Sequence, residues 1–475
     1  MAAHRSSYCL FVLVLAMATL GVSSAQTATD QPSKTTACSS VSGLDVDDSS
    51  AVNAPQAYQA VVADLLAAEN FSTLECIADS ARNSKAKMSG GMWKLHMFYF
   101  GLVQPQGHAT EEDWQTHLTR LKRWMAAYPD SVTPQIALAD AYIAYADEAR
   151  GGGAADSVTE SGWRLFSERL AQAQAVVDKA EKSSTRDPEL LLAQIGIAWS
   201  QGWDLNQMTA LVKSASKLEP TYYYYYRIYA TYLLPKWYGE EDDMRQFATA
   251  ISDHIGGDDG DIVYFEIAVS QICHCGDDEV ALKSLSWPRI QKGFAAQEKR
   301  SGPSLYNMNQ MAFMAMTFND MLAADKLFQR IGDRWSEDAW HLQSYYEACK
   351  KSAAEAAPFL AAKQNATDQV EANLKTAEGQ RYQAEVQQAM EKMVRECASA
   401  DSTDLNQFSL TLRISTTGTL ERMNVNSPSH LFGCVMKKMW DAEQAKQPLL
   451  PPAPKPSYWV KIDVDPQALT AAPGK

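Results

Sequence analysis

Cys273, His274 and Cys275 place three soft donors in three consecutive residues, inside the stretch Cys-His-Cys-Gly-Asp-Asp. Thiolate and imidazole groups of this kind bind Zn²⁺ or Cu(I), with Cys349 or a distant histidine as a further ligand. The spacing argues against a complete site. Residues at i and i+2 of a helix point apart, and no second Cys-x-x-Cys or His-x-x-x-His completes a tetrahedral set. Structural cysteines at a helix end, one of them bridged elsewhere, are the expectation, with no metal and no cofactor; a metal- or redox-binding protein is the alternative. The acidic clusters Gly239–Asp243 and Gly256–Asp261 lack the alternating oxygens and closing Glu of a calcium loop. They read as solvated turns and helix N-terminal acids. His96 and His108 flank Met-Phe-Tyr-Phe-Gly-Leu without a nameable partner, and no Gly-x-Ser-x-Gly, Walker loop or His-Glu-x-x-His occurs. No catalytic residue is assigned. An enzyme with a site in the helical body is carried as a rival reading.

The other stretch that could do chemistry is Leu218–Gly239, where five tyrosines, Tyr222 to Tyr226, follow Leu-Glu-Pro. At 100° per residue, Tyr222, Tyr225, Tyr226, Tyr229, Tyr232 and Leu233 fall within about 120° of one another. Arg227 and Thr231, with Tyr224 beside them, occupy the opposite side. A wide aromatic sector with a narrow polar window is what a helix packed between neighbours shows. Core is therefore the first reading of the tyrosines. The second is a ligand platform, since Tyr joins a large apolar body to a polar tip. The candidate partner-binding residues are then Tyr222, Tyr225, Tyr226, Tyr229 and Trp237.

These residues must be positioned by helices. Trp114, Leu118, Leu121 and Met125 recur at amphipathic spacing, and after a Tyr-Pro-Asp-Ser break so do Ile136, Leu138, Ala141, Tyr142 and Tyr145. Gly151 to Gly153 stop that helix. Breaks at 128–134, 184–189 and 218–223 each separate two apolar helical runs. Residues 187–220 read as helix, turn near Gly202-Trp203-Asp204, helix, and 304–335 as a second such pair turning near Asn319-Asp320. The pattern predicts a mainly α protein, a degenerate tetratricopeptide-like helical repeat over residues 55–375.

The N-terminus predicts the compartment. Arg5 precedes an apolar run from Cys9 to Val22, and Ser-Ser-Ala-Gln follows, the pattern of a signal peptide over 1–25 cleaved after Ala25. Residues 26–54 read as a disordered leader. Export to the periplasm or beyond follows, with no membrane association after cleavage. A net charge of −14 disfavours nucleic acid and anionic lipid.

Residues 380–466 differ in kind. Phe-Ser-Leu-Thr-Leu-Arg-Ile alternates as a strand, the chain turns at Gly418, and Leu-Glu-Arg-Met-Asn-Val-Asn alternates again. A short helix, a Pro-rich loop and a last strand at Ser-Tyr-Trp-Val-Lys-Ile-Asp-Val-Asp complete a small α+β domain, with 467–475 as a tail. Both of its helices must cover one sheet face, or Phe408, Leu410 and Val435 would stay in water. Helices side by side sit about 8–10 Å apart. That brings Cys397 and Cys434 within reach of a disulfide, which closes Cα atoms to about 4.4–6.8 Å. The pairing of Cys38, Cys76, Cys273, Cys275 and Cys349 stays open.

Two resemblances add to this reading. Glu-Pro-Thr-Tyr-Tyr followed by Leu-Leu-Pro-Lys-Trp-Tyr-Gly, with the blocks Gly90–Leu102, Tyr128–Gly153, Gly162–Ala173, Gln201–Met208 and Trp287–Ala296, resembles the bacterial DUF4034 family over about residues 60–345. The resemblance implies a helical, repeat-like fold and no activity. The C-terminal order of strand, Gly turn, strand, helix, Pro-rich loop and strand resembles the C-terminal domain of TonB and the related AgmX/PglI proteins. TonB's membrane anchor and long Pro-rich spacer are missing from this sequence, so what the resemblance implies is a module whose exposed strand edge accepts a peptide strand. The expected function is an exported, non-enzymatic scaffold for a protein or peptide partner.

Overall fold

The computed structural model describes residues 44, 47–107, 109–153, 155–272, 278–400, 405–426 and 430–470. The signal-peptide segment, most of the leader, His108 and Cys273 to Cys275 lie outside the described residues. The chain is mainly helical, with a small antiparallel sheet near its C-terminus.

Helix starts sit where the sequence supplies caps. Thr110 and Asp113 form a capping box at Glu111–Ala127, and Asp204 and Gln207 form another at Leu205–Leu218. Pro134 and Pro188 occupy first-turn positions, where a missing N–H leaves nothing unpaired. The Pro-containing breaks are therefore the starts of helices Thr133–Arg150 and Pro188–Ser200.

From Thr133 onward the helices pack in pairs. Thr133–Arg150 packs on Glu160–Ala180, Pro188–Ser200 on Leu205–Leu218, Tyr224–Tyr232 on Asp243–Ile255, Gly257–Ser270 on Trp287–Ser301, and Leu305–Thr317 on Met321–Ile331. The first helices of the first four pairs also touch one another in succession. That is the nearest-neighbour stacking of a repeat array. Gly293 permits a close crossing: a Cβ there would stand 2.0 Å from the Asp261 carbonyl oxygen.

The sheet follows helices Gln343–Leu374 and Ala377–Ala400. Its strands are β1 (Phe408–Ile414), β2 (Leu420–Asn426) and β3 (Tyr458–Val464), in the order β2-β1-β3 with both pairings antiparallel. Gly418 turns the β1–β2 hairpin at φ +80°, and a Cβ would meet the Leu450 carbonyl oxygen at 2.4 Å. Helices Ala377–Ala400 and His430–Gln444 pack on the apolar face made by Phe408, Leu410, Leu412, Ile414, Val460 and Ile462. There Cys397 and Cys434 are joined in a disulfide with Cα atoms 6.0 Å apart. Cys76 is also disulfide-bonded, whereas Cys349 is a buried free thiol.

Three expectations change. The leader does not run loose to residue 54, because Asp48 is fully buried and its carbonyl accepts from Leu305 N at 2.8 Å. The boundary at 375 cuts through packing: Ala366 and Val370 bury Trp459, and Asn373 Nδ2 donates to the Trp459 carbonyl at 2.9 Å. The tyrosine helix begins at Tyr224, with Tyr222 and Tyr223 in the turn before it. Among the described residues, no helix is long and apolar enough to cross a membrane.

Candidate functional site

The tyrosine run is interior. Tyr222, Tyr225 and Tyr226 are 0% exposed and Tyr229 is 5% exposed. They pack on Met208, Val212, Ala215, Met244, Ala248 and one another. Burial on this scale leaves no ring face for a partner, so these four residues belong to the core. Of the five candidates only Trp237 is exposed, at 45%, and it stands edge-on to Trp199 at 5.3 Å between ring centres.

Behind the tyrosines lies a network of charged groups. His96 Nδ1 sits 2.9 Å from Glu189 Oε1, and the Tyr222 hydroxyl donates to the other oxygen of the same carboxylate. His96 stacks on Tyr224 with ring centres 3.6 Å apart. Burial, reinforced by the Arg227 charge, pulls its imidazole down to about 3, so it is neutral at ordinary pH. Burial pushes the Glu189 carboxyl and the Tyr222 phenol well above their usual ranges. Beside them, Arg82 and Tyr99 donate to Asp187 Oδ2 at 2.7 and 2.8 Å, while Asp187 caps its own helix through Glu189 N at 2.9 Å. These groups satisfy each other. A phenol held protonated and an imidazole locked on a buried carboxylate make a packed polar interior, not a nucleophile and base facing a substrate.

The polar window of the same helix has the opposite surroundings. Arg227, Ile228 and Thr231 line an open cavity of about 310 Å³ whose other walls come from Trp199, Val269, Ser270 and Ile272, and from Tyr306, Gln310 and Asp338. The cavity thus lies on the face built by the first helices of four successive pairs. The Arg227 side chain is 28% exposed, and its one ion pair is a long one, 3.5 Å to Glu266 Oε2. Glu266 is held from the other side by Gln297 Nε2, 2.8 Å from Oε1. Gln310 is 3% exposed, and its Oε1 has no hydrogen-bond partner. Nearby Asn309 differs, since its side chain bonds Leu305 O, Ser336 N and Trp340 Nε1.

The sequence reading placed Arg227 and Thr231 opposite the tyrosines but sought the site among the tyrosines. Gln310 was missed. Its signal was a run of polar residues, Asn307, Asn309 and Gln310, inside an otherwise apolar helix.

The sheet offers a second surface. Its two edges are treated differently. On β3, Gln383 Nε2 donates to the Lys461 carbonyl while Gln383 Oε1 accepts from Lys461 N at 3.2 Å. Gln387 Nε2 reaches the Asp463 carbonyl at 2.9 Å, and Asn373 covers that of Trp459. Trp459, Lys461 and Asp463 are therefore the outward-facing positions of β3, and three side-chain amides seal them. Backbone groups alternate between the two neighbours of a strand. Through the observed register, Ser409, Thr411 and Arg413 of β1 then face Asn426, Asn424 and Arg422 of β2. Met423 and Val425 are left pointing out, and among the described residues no side chain or strand bonds their backbone groups on that side.

The acidic clusters behave as turns and helix starts. Asp258 and Asp259 stand in the first turn of Gly257–Ser270 and pair with Lys299 and Arg300, and Asp242 pairs with Arg245. Among the described residues, no group of three or more His, Cys, Asp and Glu side chains is arranged to hold a metal ion. No family model, curated protein or solved structure matches this chain.

Proposed function

We propose that this protein is an exported, non-enzymatic scaffold that holds a protein or peptide partner in the periplasm, with the partner adding a strand to β2. One observation carries the reading. The β3 edge is sealed by Asn373, Gln383 and Gln387, whereas among the described residues nothing bonds the outward groups of Met423 and Val425 on β2. Exposed strand edges template further pairing, and natural proteins blunt the ones they do not use. An added strand gains main-chain hydrogen bonds from the edge and specificity from alternate side chains. The Asp187–Glu189–His96 network supports a non-enzymatic body, because its reactive groups are committed to one another.

The test is affinity capture from the periplasm of exporting cells, using the wild-type chain and Val425→Pro side by side. Proline is tolerated where the lost N–H faces away from the sheet, so the fold survives while the outward donor disappears. A partner held by the wild type should be lost by the variant, and amide exchange at Met423 and Val425 should slow in the complex. Equal capture by both proteins sinks strand addition.

A further inference from the structure

We propose that the cavity at Arg227 binds a small carboxylate-bearing ligand, the α-carboxylate end of an apolar amino acid. This site is separate from the β2 edge and does not depend on it.

Arg227 and Gln310 hold a donor fork and an acceptor that the fold does not fully use. A guanidinium carries five N–H groups in a planar fork. Arg227 uses part of that fork on Glu266 at 3.5 Å, longer than the ~2.7–2.9 Å of a well-made charged hydrogen bond. The rest of the fork borders the cavity, where it is the sole cation among the lining residues. A planar, bidentate acceptor suits it best, which means a carboxylate. Gln310 adds the complementary demand. Its buried Oε1 lacks a donor, while the Tyr306 phenol stands against the same side-chain amide. Asp338 at the same cavity provides a negative charge for an ammonium or a further N–H.

Between these poles the lining is mixed, with Thr231 and Ser270 set among the larger side chains. Trp199, Ile228 and Tyr306 offer ring and aliphatic surface, and Trp237 extends the aromatic rim through its edge contact with Trp199. The hollow is open to solvent on one side and its volume, about 310 Å³, leaves room for one small ligand. An anion at one end, an N–H donor nearby and an apolar side chain between them describe a free apolar amino acid. They equally describe the last residue of a peptide. The two share the carboxylate, the adjacent N–H and the side chain, and differ only in whether the nitrogen is an ammonium or an amide.

Calorimetric titration of the purified full chain with leucine, leucinamide and the tripeptide Gly-Gly-Leu separates these sources. Binding of leucine or of Gly-Gly-Leu, with leucinamide silent, supports the proposal and says whether the ligand is free or a chain terminus. Arg227→Lys keeps a positive charge beside Glu266 but loses the fork, so it should weaken binding at least about tenfold with an unchanged melting temperature. Gln310→Leu, which removes the orphaned acceptor without burying a new polar group, should also weaken it. Binding of leucinamide as tight as that of leucine, undiminished binding by Arg227→Lys, or no heat from any probe would overturn the assignment.

Discussion

Tyr226 and Arg227 are adjacent in the chain and live in opposite surroundings. Tyr226 is 0% exposed and its hydroxyl donates to the Pro220 carbonyl at 2.9 Å. Arg227 is rotated from it by one helical step, and its side chain reaches the cavity with a single long ion pair. The helix they share is pinned between two layers, so its wide sector becomes core and its narrow sector becomes surface. The lesson concerns where binding chemistry resides in such an array. Five tyrosines in a row draw attention, but all five are buried, two in the turn before the helix and three within it, so only the polar remainder of the helix faces solvent.

The contrast would break most visibly at Tyr226. If the aromatic sector is core, Tyr226→Ala should lose roughly 3–5 kcal/mol, the range for truncating a large buried side chain. Urea denaturation measures it, and an unchanged midpoint would put Tyr226 on a surface after all.

A buried charge elsewhere sharpens the comparison with the partly exposed Arg227. Burial pushes the Asp48 carboxyl from the ordinary 3.8 up to about 6. Below about pH 4 it is protonated in both folded and unfolded chains and carries no penalty. As pH rises through 6, the folded state must ionise it in the interior, a penalty that reaches about 3 kcal/mol and then stays constant. Asp48→Asn should therefore stabilise the protein by up to about 3 kcal/mol near neutral pH, and the gain should vanish in acid. Melting curves of the two proteins across that window decide it: a gain independent of pH would refute the raised pKa.

The smallest expected effect is on stability at the polar window. Arg227→Lys keeps the ion pair and should change stability by less than about 1 kcal/mol. A loss as large as that of Tyr226→Ala would make Arg227 a structural residue and erase the difference between the two sectors.

Much of this architecture was legible in the chain. β1 and β2 coincide with the alternating segments at 408–414 and 420–426, and the turn falls at Gly418. The helix pairs at 187–220 and 304–335 turn where Gly-Trp-Asp and Asn-Asp interrupt the apolar spacing. Periodicity and turn chemistry are local properties, so they survive without knowledge of neighbours. The helical wheel also separated Arg227 and Thr231 from the tyrosines, because that angle is set by the helix alone. It did not say which side faced a cavity. The pairing of Cys397 with Cys434 was reachable for a different reason: a three-stranded sheet with one apolar face leaves its two helices a single place to lie.

What tertiary structure alone decided are the relations between residues far apart in sequence. His96 meets Glu189 across 93 positions, and Gln383 meets Lys461 across 78. Neither carries a local signal, since a Gln on a charged helix reads as solvated until a strand edge is placed against it. The orphaned oxygen of Gln310 belongs to the same class, because whether an acceptor is satisfied depends on every atom around it. Sequence periodicity determined which elements form and which faces are apolar; only the packing of those elements decided which polar groups found partners and which, at Gln310 and the outer edge of β2, have none among the described residues.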